Sequence, residues 1–157
     1  LGLLVSFSTS TLAVLPAIQP FNMTDVKEEK TAIVAPKEVR SEDYMPISDP
    51  KNVKRFVEAY FADIPVMAKI AYCESRNRQY NSNGGVLRGE VTPLDRGVMQ
   101  INLHYHQDTA EKLGFDVHNI DDNVAYARYL YEKSGVKPWM SSRACWSKPI
   151  SSELAKK

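Results

Sequence analysis

The sequence predicts a mainly α domain carrying one small irregular β-hairpin or loop. Two observations point there. Apolar residues recur at spacings of three and four along residues 53–64 and again along 120–131, the period of a helix with one buried face. Between these stretches, residues 76–96 turn to Asn, Gln, Ser, Gly and Arg, with Val86, Leu87 and Val91 scattered among them. That is the composition of a loop with at most a short hairpin.

The first helix is expected after Asp49-Pro50, since Asp is a good N-cap and Pro fits the first helical position. Val53, Phe56, Val57, Tyr60, Phe61 and Ile64 form its apolar face. Asp63 and Pro65 punctuate the chain and open a second helix through Val66, Met67, Ile70, Ala71 and Cys73. Glu74 follows one turn after Ile70 and two turns after Met67, on the same face. Beyond the polar segment come a short element over 97–101 and a helix over about 107–113 that Gly114 ends. The last strong helix spans about 120–134. Asn119 or Asp121 caps it, Asp121 and Asp122 suit its first turn, and Lys133 and Gly135 close it.

At 157 residues the chain suits one domain plus a tail or linker. Its 20 basic and 19 acidic residues leave a net charge of +1, so no bulk charge draws it to nucleic acid. Leu1 to Ile18 contain no charged residue and read as a signal-peptide h-region or the remnant of a membrane anchor. A buried helix or strand is the other reading. Residues 19–48, with Pro20, Pro36, Pro46 and the mixed charges of Lys27-Glu28-Glu29-Lys30, read as a flexible linker that buries too little to offset chain entropy. The domain is expected over 49–148, with a polar tail over 149–157. Export implies an extracytoplasmic location: secreted, periplasmic or held at the cell envelope, with a membrane tether through the N-terminus as one form.

Cys73 and Cys145 lie far apart and form no CxxC cluster. In an oxidising compartment one long-range disulfide is the natural reading, and two buried free thiols are the alternative. Cys73 as a nucleophile would need a base among His104, His106 and His118. His104-x-His106 is a poor helical spacing for metal ligands, so no metal and no cofactor are assigned.

Glu74 carries the functional reading. Burial against Met67, Ile70 and a Trp disfavours a carboxylate and raises its pKa. A neutral carboxyl facing a polar groove can protonate the leaving oxygen of a glycosidic bond. Asp95, beyond the polar loop, can stabilise an oxocarbenium ion, act as nucleophile or activate water. The competing assignments are an ion pair of Glu74 with Arg76 or Arg78 on the surface of a structural helical domain, and a turn role for Asp95.

Cys73-Glu74-Ser75, the polar loop, and then Asp95-Arg96-Gly97-Val98-Met99-Gln100-Ile101-Asn102 together resemble the lysozyme-like superfamily, and within it lytic transglycosylases of the soluble lytic transglycosylase type. The resemblance covers about residues 52–146. Val98 stands where the family has Leu, and the Ala-Tyr-Asn-x-Gly motif is missing. The stretch from Trp139 to Trp146 is closer to the Trp-rich end of animal-type lysozymes.

This likeness implies a two-lobed α-rich fold with a glycan groove. It implies cleavage of the β-1,4 bond between N-acetylmuramic acid and N-acetylglucosamine, with Glu74 as general acid and then base and a 1,6-anhydromuramic end as product. Asp95 matches the second acid of animal-type lysozymes, which leaves hydrolysis open. Gln100 and Asn102 match the groove lining or cap turns. Met99 packs beneath the acid or fills the core. Tyr126 or Tyr129 reaches the acetyl pocket or packs inside. Trp139 stacks on a sugar, shields Glu74 or joins the core. The expected partner is peptidoglycan glycan strands, met by a monomer; a non-catalytic glycan-binding module on the same fold is the alternative.

Overall fold

The computed structural model of the chain describes residues 39–148. The expectations for residues 1–18, 19–38 and 149–157 lie outside the described residues. The described part is mainly helical with one two-stranded antiparallel sheet.

Helix α1, Pro50–Tyr60, starts where the sequence puts it: the Asp49 carboxylate accepts the Lys51 N–H at 2.8 Å. Its face of Val53, Phe56, Val57 and Tyr60 is buried. Helix α2, Pro65–Ser75, buries Met67, Ile70 and Ala71 against it. It stops because Arg76 and Asn77 both turn left-handed, at φ 57° and 58°. The Ser75 hydroxyl closes the end, donating to the Ala71 carbonyl at 2.9 Å and accepting the Arg78 N–H at 3.2 Å. Glu74 is thereby held on a terminated last turn, at the edge of the core.

Residues 76–102 make the β part. Isolated antiparallel bridges join Tyr80 to Val86 and Arg88 to Arg96. Strand β1, Asp95–Arg96, pairs with β2, Ile101–Asn102, so that Asp95 lies opposite Asn102 and Arg96 opposite Ile101. The short element expected over 97–101 is the turn of this hairpin together with the first residue of β2.

Helix α3, Leu103–Lys112, begins four residues before the expected start, because Asn102 caps it by accepting the His104 N–H at 3.0 Å. Helix α4, Ile120–Ser134, is capped by Asn119, whose side chain accepts the N–H groups of Asp121 and Asp122. Arg128 of α4 grips Asp63 through both carboxylate oxygens, at 2.8 and 2.6 Å, and donates to the Tyr60 carbonyl at 2.9 Å. That fork holds the Asp63 carboxyl below its usual pKa, and it ties α4 to the turn between α1 and α2.

A 3₁₀ segment, Lys137–Ser142, and a short helix α5, Arg143–Trp146, complete the described chain. Both pack on α2. The Cys73–Cys145 disulfide joins α5 to the last turn of α2, with the two Cα atoms 6.0 Å apart. The free-thiol alternative is thereby set aside, and Cys73 has no thiol to serve as a nucleophile.

The linker reading fails over 39–48. A 3₁₀ turn, Ser41–Tyr44, docks on the domain: the Ser41 N–H donates to Asp121 at 2.9 Å and its hydroxyl bonds the second carboxylate oxygen. Tyr44 packs on Phe56, and Ile47 is buried in the core. Pro46 and the surrounding charges conceal this in the sequence, because the apolar anchors are few and unevenly spaced. No helix among the described residues is long and apolar enough to cross a membrane.

Candidate active site

The hairpin turn is built on buried amide side chains. Gln79 and Asn123 are both fully buried. Gln79 accepts the Val98 N–H at 2.8 Å and donates to the His118 carbonyl at 2.9 Å. Asn123, on α4, accepts the Met99 N–H at 3.0 Å and donates to the Arg96 and Val117 carbonyls at 3.1 and 2.7 Å. Gly97 is what lets them close in. It sits at φ 67°, and a Cβ there would lie 2.5 Å from the Gln79 amide oxygen and 2.7 Å from the Asn123 amide nitrogen. Val98 and Met99 then fall into the core, and the Met99 carbonyl accepts the Trp139 indole N–H at 3.0 Å.

This clamp presents a groove of about 330 Å³. Glu74 from the end of α2, Asp95 from β1, Gln100 and Asn102 from the hairpin, Tyr105 and His106 from α3, and Trp139 from the 3₁₀ segment line it, with Thr92, Leu130, Pro138 and Ser141. Two carboxyls therefore share one polar cavity.

Glu74 is half-buried, and its pKa is raised. Burial is the largest cause; a hydrogen bond from the Ser142 hydroxyl, 2.6 Å from Oε1, opposes it, and the negative charge of Asp95 adds to it. Asp95 is also raised, mainly by burial, against the pull of Asn102 and Arg96. Its Oδ1 accepts the Asn102 amide at 2.6 Å. Gly89 lies so close that a Cβ there would sit 2.8 Å from Oδ2. Asp95 is thus braced on both sides.

The other expected site residues divide. Asn102 lines the groove, but its amide is spent on capping α3 and holding Asp95. Gln100 lines it too, at φ 49°, with its side chain donating back to the Gly97 carbonyl at 2.7 Å. Trp139 lines the wall while only 3% exposed, so its ring joins the core rather than offering a face.

For Met99 and Tyr126 the structure shows the core alternative: both are fully buried and neither lines the groove. Met99 is turned inward by the hairpin clamp. Tyr126 faces the core side of α4, where its hydroxyl lies 3.3 Å from His106 Nδ1 and burial pushes its pKa up to about 12. Tyr129 stacks on Tyr126 and also stays out of the groove.

Three residues escaped the sequence. Tyr105 is 75% exposed at the groove, an aromatic ring with an open face. Its only signal was its place just after the Gly-Val-Met-Gln-Ile-Asn run. His106 lines the groove with its pKa lowered by burial, so its ring is neutral at neutral pH. Ser142 left no signal, because only the folded C-terminal segment brings it to Glu74. Among the described residues no group of three or more His, Cys, Asp or Glu side chains is placed to hold a metal ion.

No family model, no curated protein and no solved structure matches the chain.

Proposed function

We propose that this chain is a lytic transglycosylase on a lysozyme-like fold, cleaving the β-1,4 bond between N-acetylmuramic acid and N-acetylglucosamine in peptidoglycan. The observation that carries the reading is a single groove lined by two carboxyls, in which Glu74 is half-buried and keeps its proton above the usual carboxyl range. In the first step Glu74 donates that proton to the glycosidic oxygen as the C1–O bond breaks. The resulting carboxylate then takes the proton of the muramic C6 hydroxyl, whose oxygen bonds to C1 and closes the 1,6-anhydro ring. Asp95, braced by Asn102, supplies negative charge near the developing oxocarbenium ion. The open face of Tyr105 suits the apolar face of a sugar ring at the groove rim. The disulfide fits an extracytoplasmic site of action, since such bonds persist in oxidising compartments.

Asp95 in the same groove favours one second reading, hydrolysis in the manner of a lysozyme, with Asp95 as nucleophile or stabiliser. Digesting purified sacculi and weighing the soluble fragments separates the two. Transglycosylation gives anhydromuramic ends one water lighter than hydrolysed ends. Retention of the protein on sacculi with no soluble product would leave only a peptidoglycan-binding module.

A further inference from the structure

We infer that Ser142 is a positioning residue for Glu74: its hydroxyl engages Oε1 and leaves Oε2 to face a ligand. The inference rests on the proposed general-acid role of Glu74.

The geometry is a competition for one proton. Ser142 Oγ lies 2.6 Å from Glu74 Oε1 and 3.1 Å from the Trp139 carbonyl oxygen. A serine hydroxyl has a single hydrogen, so it serves one acceptor fully. The Trp139 carbonyl already accepts the Trp146 indole N–H at 2.9 Å. When Glu74 is ionised, the shorter contact and the stronger acceptor are both on the carboxylate side, so the hydroxyl donates to Oε1. When Glu74 is protonated, the same hydroxyl can also accept from the acid while donating to the Trp139 carbonyl, so it engages Oε1 in either protonation state. Among the described residues no protein hydrogen bond to Oε2 is found, leaving that oxygen for a ligand. When Glu74 is ionised, the same hydroxyl stabilises the carboxylate, so one contact serves the acid and the base halves of a cleavage cycle.

The arrangement is held from outside the groove. Ser142 ends the 3₁₀ segment, and Cys145 in the following helix is bonded to Cys73, the residue before Glu74. The other titratable groups around the cavity are Asp95 from β1 and Tyr105 and His106 from α3. Arg143, next to Ser142, is exposed. Removing the hydroxyl leaves Asp95 as the one ionisable neighbour that shifts Glu74, and it acts upward.

The test is a ¹³C NMR titration of the Glu74 carboxyl in protein carrying ¹³C-labelled glutamate, for the wild type, Ser142→Ala and Ser142→Thr. Ser142→Ala should move the Glu74 midpoint upward, and Ser142→Thr, which keeps a hydroxyl, should return it to the wild-type position. Ser142→Gly removes the same group and replaces Ser142→Ala if that variant does not fold. On sacculi, kcat should fall about tenfold in Ser142→Ala with KM unchanged, the size expected for one charge-assisted hydrogen bond. An unmoved or lowered midpoint in the hydroxyl-free variant overturns the inference. The titration needs no turnover, so it decides the role of Ser142 even where sacculi digestion rejects the glycosidase reading.

Discussion

The α1–α2 pair and the hairpin that faces it across the groove are stabilised by different physics. The helices rest on apolar side chains: Val53, Phe56, Val57, Met67 and Ile70 are all fully buried. Each is fixed by local spacing, and a similar apolar residue would serve nearly as well. The hairpin rests on amides. Gln79 and Asn123 supply the hydrogen bonds that its turn cannot make with itself, and Gly97 supplies the room. A buried amide is worth little while satisfied, but costs much when its partners are orphaned. The helical side of the groove thus tolerates change that the hairpin side does not.

Removing the clamp gives a stability loss that only the disulfide matches. Asn123→Ala leaves the Met99 N–H and the Arg96 and Val117 carbonyls without this partner. It should cost about 2–4 kcal/mol in chemical denaturation. The conservative helical change Ile70→Leu should cost under about 1.5 kcal/mol. Equal costs would erase the distinction between the two regions.

Next is the disulfide, which lies on the helical side. Replacing Cys73 and Cys145 together by Ala should lower stability by about 2–4 kcal/mol, the usual range for one bridge. It should also lower activity more than the loss of folded protein explains, since the bridge holds Ser142 at Glu74. Unaltered specific activity in the folded fraction would detach the bridge from the site.

A subtler effect concerns pH. Because the folded pKa of Glu74 is raised, the native state keeps a proton that the unfolded chain has lost. Its contribution is therefore lost as pH climbs from the ordinary glutamate value towards the raised one, and Glu74 costs stability above that window. Glu74→Gln should melt higher than the wild type at neutral pH, and the difference should shrink below the ordinary glutamate pKa. A lower melting temperature at neutral pH would contradict the burial argument.

The smallest effect belongs to the rim. Tyr105→Ala should raise KM for glycan strands several-fold, on the order of 1 kcal/mol, while stability stays within about 0.5 kcal/mol. Calorimetry and initial rates on soluble glycan fragments measure both.

The same contrast explains what could be read from the chain. Helices α1, α2 and α4 were legible because caps and apolar spacing are local signals: Asp49-Pro50, Pro65 and Asn119 mark their starts. Helix α3 was placed late because it buries only Ala110 and has no stripe to detect. Its cap, Asn102, read either as a groove-lining amide or as a turn cap, and it caps α3. Gln79 and Asn123 were invisible, since an amide holding a turn and an amide on the surface look alike in sequence. Ser41 and Ile47 were lost within a segment that composition marks as linker. Glu74 and Asp95 were singled out from the helix end and the hairpin run, and both line one groove. Tyr126 was open between pocket and core, and it is buried although Leu130, one turn further on α4, lines the groove.

The most direct test of the account is the rate at which Glu74→Gln solubilises purified sacculi, with folding checked by circular dichroism on the same sample. The account predicts a fold indistinguishable from the wild type and a rate about 10²–10⁴-fold lower, the range for removing a general acid. A well-folded Glu74→Gln that releases fragments at the wild-type rate would contradict it.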